Sequence, residues 1–211
     1  MKKIIVFGAT GGTGKSVVEQ ALEAGYEVTV VVRNPEAFTL KHPQLKILKG
    51  DVFKTITFEI AIAGQDAVVS CLGIQKRETT TVYSEGVGNI IKVMQREKVK
   101  RIICLSAGAV VVPSKASFIM KFMTKNFLQR LFGHLYSDML EMEKILSKTD
   151  LNWTVIRPPW LRDSKHTGNY RISINEPLDN PSKLSRADLA DYIIKHLTDE
   201  KTFKSMVEIS Y

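Results

Sequence analysis

The sequence predicts a doubly wound α/β fold, a parallel sheet with helices on both faces, in a single domain. Three observations carry this. Short, continuous apolar runs rich in β-branched residues alternate with helical stretches along most of the chain, and runs of that kind are buried on both sides, as in parallel sheets. The first run leads straight into a glycine-rich turn and a helix. The length of 211 residues suits one domain and leaves little room for an independent second one.

Taken in order, residues 3–7 form the first strand and residues 14–24 an amphipathic helix that ends at Gly25. Residues 27–32 are a β-branched second strand, 45–48 a third and 67–71 a fourth. A helix over 84–97 precedes a strand at 101–105, and a long helix over 136–148 leads into a strand at 153–157. Helices between parallel strands imply right-handed crossovers. Ser185-Arg186-Ala187-Asp188 has capping-box spacing, with aspartate for the usual glutamate. It opens a helix to about residue 197, followed by a short strand at 206–209. Residues 117–132 stand out, with Phe, Met and Leu interleaved by Lys121, Lys125 and Arg130. A helix packed on the sheet's edge is the preferred reading; a lid, a protein-partner interface or a membrane-surface helix are the alternatives.

Composition narrows the class. Apolar residues make up 44% and charged residues 25% of the chain, as in soluble globular proteins. No stretch approaches the roughly 18–20 apolar residues of a membrane span. The apolar run after Met1-Lys2-Lys3 is too short for a signal peptide and ends in glycines, not at a cleavage site. Cys71 and Cys104 lie in separate apolar runs and read as buried thiols in a reducing compartment, so the cytoplasm is the expected location. The net charge of +8 suits nucleic acid, an anionic surface or a phosphate-rich ligand. Its densest cluster, Lys92, Arg96, Lys98, Lys100 and Arg101, falls at a helix end, where cations complement the dipole in solvent. No nucleic-acid motif accompanies it, so nucleic acid is not an expected partner.

The first strand runs into Gly8-Ala-Thr-Gly11-Gly12-Thr-Gly14-Lys15-Ser16. A dinucleotide pyrophosphate needs glycines where the backbone approaches it and a helix N-terminus whose free N–H groups face it. Gly8, Gly11 and Gly14 supply that spacing, between a strand and a helix. Ala9 to Ser16 also matches a Walker A loop except that Ala9 replaces its first glycine, which would make Lys15 and Ser16 the phosphate and magnesium residues. No apolar strand ends in the aspartate that would complete such a magnesium site, so nucleotide hydrolysis is disfavoured. At the end of the second strand, where an acid would bond an NAD ribose, the chain has Arg33-Asn34. A cation there suits the 2′-phosphate of NADP(H), although a surface arginine ending a strand is the plain alternative. Asp51-Val52 is placed to flank an adenine, or to cap the next segment.

With these motifs assembled, the chain resembles the atypical short-chain dehydrogenase/reductases and, among them, the NADPH-dependent flavin reductase and biliverdin-IXβ reductase branch. The likeness runs over nearly the whole length, through residues 4–15, 24–34, 50–52, 64–73, 80–90, 105–107, 157–159 and 167–170. It implies a Rossmann-like fold over 1–211, with residues from about 106 to 211 forming the acceptor side of the cleft. It implies Thr10, Gly11, Gly12, Thr13 and Gly14 at the pyrophosphate, Arg33 at the 2′-phosphate, Leu72 and Gly73 beside the dinucleotide, and Ser106 near the nicotinamide. A turn-forming or capping serine is the plain alternative for Ser106. Where the branch carries a histidine after Pro-Pro, this chain has Trp160, whose indole would stack on a flavin or pack in the core.

The Tyr-x-x-x-Lys pair of most short-chain dehydrogenases is absent: Val30, Val87 and Leu140 stand at the lysine position after Tyr26, Tyr83 and Tyr136. Hydride transfer to flavin makes no such demand. His42, His134, His166 and His196 are scattered without metal-ligand spacing, so no metal is expected. Arg157 either faces the cleft or forms a structural ion pair. The expected activity is reduction of FMN, riboflavin or another planar small-molecule acceptor by NADP(H), with Ser106 as the catalytic-end residue. The rival is a non-catalytic NADP(H)-sensing regulator of the NmrA-like type, for which residues 117–132 would be the partner surface.

Overall fold

A computed structural model of the chain describes residues 2–74, 80–110 and 129–211, apart from the side chains of 129–132. Its strands are β1 (Lys3–Phe7), β2 (Glu27–Val32), β3 (Leu45–Lys49), β4 (Ala67–Ser70), β5 (Arg101–Leu105), β6 (Asn152–Arg157), β7 (Trp160–Arg162), β8 (Arg171–Ile174), β9 (Lys183–Ser185) and β10 (Ser205–Ser210). The described α-helices are α1 (Gly12–Glu23), the single turn α2 (Glu59–Ile62), α3 (Ser84–Arg96), α4 (Gln129–Ser147) and α5 (Arg186–Lys195).

The main sheet has the order β3-β2-β1-β4-β5-β6-β10-β8. Every pairing in it is parallel except that of β8 with β10. From β1 the chain winds outward through β2 and β3, then returns to β4 and winds the other way. That reversal between β1 and β4 opens a crevice at the strands' C-terminal ends, where open α/β sheets bind ligands. The expected doubly wound, single-domain α/β fold is present.

Period-2 alternation divides the core into two layers. Ile4 and Val6 pack with Val17, Ala21, Leu189 and Ile193 from α1 and α5. Ile5 and Phe7 pack on the opposite face with Ile90 and Met94 from α3 and Met142 and Leu146 from α4. Each fully buried aliphatic side chain contributes about 1.5–3 kcal/mol over leaving it exposed, so both faces of β1 hold it in register.

Where the expected elements differ, the reasons are local. α4 begins by Gln129, seven residues before the expected start, and Gly133 lies inside it with open space around its Cα. A glycine there costs about 1 kcal/mol, which the packing of Leu135, Met139 and Met142 on the core offsets. The short strands β7, β8 and β9 were not expected. β7 and β9 form a separate two-stranded sheet, and neither is long enough to show a period. Arg101 also departs from the expected solvated helix end. It is 3% exposed; its Nε donates to Leu197 O at 2.8 Å and its Nη1 to Asn152 O at 2.8 Å and Thr154 Oγ1 at 2.7 Å. Nη2 donates to His196 O at 3.0 Å. Burial pushes its pKa down to about 10, so it stays charged at neutral pH and satisfies the carbonyls beyond α5.

Ser185 caps α5 as expected, its hydroxyl accepting the Asp188 N–H at 2.8 Å. Asp188 is buried and does more than close the box. It accepts the N–H groups of Thr167 and Gly168, both at 2.8 Å, and the hydroxyls of Thr167, Ser185 and Tyr211 at 3.0, 2.8 and 2.5 Å. Burial alone would raise this carboxyl, but the hydrogen bonds from Tyr211, Gly168, Thr167 and Ser185 outweigh it and hold the pKa well below the usual range.

Candidate functional site: a dinucleotide cleft

At the C-terminal ends of β1, β2 and β4 lies a cleft of about 520 Å³, lined by Gly8, Thr10, Gly11, Arg33, Asp51, Val52, Leu72 and Gly73 among others. Residues from five separate chain segments are thus brought to one place. β1 delivers the glycine loop to the cleft floor. Gly8 adopts φ +77°, and a Cβ there would stand 2.2 Å from the Cys71 carbonyl oxygen, so the loop can cross the end of β4 only without a side chain. A Cβ on Gly14 would stand 2.2 Å from the Gly8 oxygen. That contact lets the first turn of α1 close against the loop. Gly12, Thr13 and Gly14 lie in that turn. It has no acidic residue and no side-chain cap, leaving helix N–H groups for an anion.

The cradle therefore fits a dinucleotide pyrophosphate. Lys15 does not fit the rival role: it is exposed and pairs with Glu19 one turn along α1 at 3.9 Å. Ser16 Oγ donates to Gly12 O at 3.2 Å within the helix. Arg33 is exposed where β2 ends at the cleft. Asp51 lines the cleft and also closes a turn, its Oδ1 accepting the Phe53 N–H at 3.0 Å. Asn89 Nδ2 donates to Val52 O at 3.1 Å, which holds that wall in place.

Ser106 follows the end of β5 and is 6% exposed. Its N–H is taken by Ile156 O at 2.8 Å, while its Oγ is buried with no hydrogen-bond partner among the described residues. A buried hydroxyl left unpaired costs about 1–3 kcal/mol. Trp160 stands on β7, 75% exposed, so it does not pack in the core, and it is not among the residues lining the cleft. The lid, partner or membrane-surface readings of residues 117–132 fall outside the described residues, save for the backbone of 129–132 in α4.

Arg157 is held by Glu143, Nε to Oε1 at 3.0 Å and Nη2 to Oε2 at 2.5 Å, so the ion-pair reading describes it. Tyr83 is buried, its hydroxyl 3.9 Å from where a Cβ on Gly73 would stand. Burial, then the charge of Asp138, pushes its pKa up to about 12, the opposite of what a proton-transferring tyrosine needs. Asp138 itself accepts the N–H groups of Tyr83 and Ser84 at 2.9 and 3.2 Å, together with the Ser84 hydroxyl, and so caps α3. Burial also pushes the Cys71 thiol up to about 12. Among the described residues no group of three or more His, Cys, Asp or Glu is placed to hold a metal.

Sequence reasoning missed parts of the wall. Gly50, Phe53, Thr80 and Val82 line the cleft, and only the strand order β3-β2-β1-β4 brings the segment after β3 and the one before α3 to the same end of the sheet. The available signals were the Gly50-Asp51-Val52 run directly after the third strand and the stretch at 80–90.

Fold and cleft together define a dinucleotide-binding α/β protein. The chain belongs to the NAD(P)H-binding family, whose sequence model it matches over residues 8–200. It is 28% identical over 217 residues to an uncharacterised chloroplastic protein of Arabidopsis thaliana, covering 99% of this chain and 76% of that one. It is 26% identical over 185 residues to the photosystem II assembly factor Ycf39 of Synechocystis, covering 85% of this chain and 50% of the relative. Its fold matches a putative NADH-flavin reductase from Streptococcus pneumoniae with a TM-score of 0.82, at 24% identity and over 100% and 99% of the two chains. No described helix is long and apolar enough to cross a membrane.

Proposed function

We propose that this protein is an NADPH-dependent reductase that passes hydride to FMN, riboflavin or another planar acceptor. One observation carries the reading: a cleft at the C-terminal ends of β1, β2 and β4 gathers the glycine loop, Arg33 and Asp51; the buried, unpaired hydroxyl of Ser106, which follows β5 outside that lining, supports it. Gly8, Thr10, Gly11, Gly12, Thr13 and Gly14 would hold the pyrophosphate on the N-terminus of α1, and Arg33 the 2′-phosphate. Asp51 and Val52 would flank the adenine, with Leu72 and Gly73 beside the dinucleotide. The Ser106 hydroxyl would orient the reacting end, with the segment from about 106 to 211 as the acceptor side and the Trp160 indole stacking on the acceptor. The coenzyme, when bound, supplies the hydride; alignment of two rings is the protein's contribution. Buried, unreactive thiols at Cys71 and Cys104 favour a reducing compartment such as the cytoplasm.

The alternative is a non-catalytic NADP(H)-sensing protein of the NmrA-like type. It is favoured by the relative named as an assembly factor, and it explains the same cleft without a proton donor. One titration separates the two: binding of NADPH and NADH, with NADPH oxidation followed with and without FMN. Turnover that saturates with FMN and prefers NADPH is expected, and Arg33→Asp should reverse that preference. Tight NADPH binding with no oxidation of flavins or quinones would sink the reductase reading and leave the sensor.

A further inference from the structure

The following rests on the coenzyme reading above and adds a residue that it does not contain. The free N–H groups at the start of α1 form an uncompensated positive helix end, and the cleft lining reaches it through Thr10 and Gly11. α5 begins against the same spot. Its first residue, Arg186, lies across Gly12, so closely that a Cβ on Gly12 would stand 2.7 Å from Arg186 Cδ and 2.9 Å from Nε. The arginine is itself in the first turn of a helix, where a cation opposes the dipole. Its guanidinium pairs with Asp163 at 2.9 Å, but that carboxylate is 88% exposed, and a solvent-screened pair contributes little. The open N-terminus of α1 and a guanidinium therefore meet at one glycine, and the carboxylate that pairs with that guanidinium is an easily displaced surface group, whereas the start of α5 is already closed by Ser185 and Asp188.

We propose that Arg186 is a coenzyme-binding residue: its guanidinium leaves Asp163 and closes over the dinucleotide pyrophosphate above Gly12. The planar fork of arginine matches two phosphate oxygens at once. Gly12 then has a second purpose, since a Cβ there would push the end of the arginine away from the position it takes across the loop.

The test compares NADP+, which carries the pyrophosphate, with adenosine 2′-monophosphate, which keeps the adenine and the 2′-phosphate but lacks it. Binding of each to wild type and to Arg186→Ala is measured calorimetrically. Arg186→Ala is expected to weaken NADP+ about tenfold or more, the worth of a charged hydrogen bond, and to leave adenosine 2′-monophosphate within about twofold. Arg186→Lys should recover part of the loss, because it keeps the charge without the fork. Asp163→Asn, which removes the competing carboxylate, should tighten NADP+. Unchanged NADP+ affinity in Arg186→Ala, or equal weakening of both ligands, overturns the proposal. If Arg186→Ala does not fold, failure of Asp163→Asn to tighten NADP+ overturns it instead. A wild-type protein that binds no dinucleotide removes the coenzyme reading itself, a result distinct from a wild type that binds while Arg186→Ala matches it.

Discussion

At the scale of single residues, the cleft depends on atoms that are missing as much as on atoms present. Gly8 and Gly25 both have positive φ, +77° and +82°, but only Gly8 has backbone within 2.2 Å of a would-be Cβ; around Gly25 nothing lies within 4 Å. Gly25→Ala should therefore cost only the left-handed backbone penalty of about 1–2 kcal/mol. Gly8→Ala adds a clash with the Cys71 carbonyl that no rotamer relieves, and should cost roughly 3 kcal/mol or more and abolish coenzyme binding. Urea unfolding of both variants checks this; equal losses would show that the loop moves aside to admit a side chain. The glycine pattern was legible because the spacing is a property of the chain itself. The neighbour that makes Gly8 obligatory, the end of β4, was not, since it lies more than sixty residues away in sequence.

Elements depend on side chains that close their ends. Asp188 is the clearest case, tying the start of α5 to the Thr167-Gly168 turn and to Tyr211 beyond β10. Its hydrogen bonds hold the folded-state pKa far below the unfolded value of about 3.9. Stability from this group is therefore fully present above about pH 4 and is lost as pH falls from there toward the folded pKa. Asp188→Asn should cost about 3 kcal/mol at neutral pH, and the gap to wild type should narrow below about pH 4. A gap of the same size at pH 3 and pH 7 would show that the charge is not what matters. The capping box was legible as a helix start because it is local. That its aspartate serves a distant turn was not, because Thr167 and Tyr211 reach it only through the tertiary fold.

Over the whole molecule, Arg101 joins β5 to β6 and to the segment beyond α5, using backbone carbonyls rather than a carboxylate. Arg101→Leu keeps the stem's packing but leaves those carbonyls buried without donors. About 3 kcal/mol of lost stability is expected, a fall in Tm of roughly 6–12 °C for a domain of this size. A loss under about 1 kcal/mol would mean that water enters to satisfy them. Arg101 and Arg186 were misread or overlooked for one reason. A cation in a sequence looks solvated by default, and only the packing shows which cations are enclosed by acceptors or laid across a glycine.

What the sequence by itself determined is the alternation of strands and helices, the parallel character of the sheet and the glycine loop. Each follows from short-range periodicity and from backbone freedom at particular residues, both local properties. The tertiary structure alone decided the antiparallel edge strand β8, the small β7–β9 sheet, the enclosure of Arg101 and the approach of Arg186 to Gly12. These depend on contacts between segments up to 174 residues apart, such as Gly12 and Arg186. Such contacts form only when burial of the two apolar layers has already overcome the entropy of closing long loops, and no local pattern records which distant partners that burial brings together.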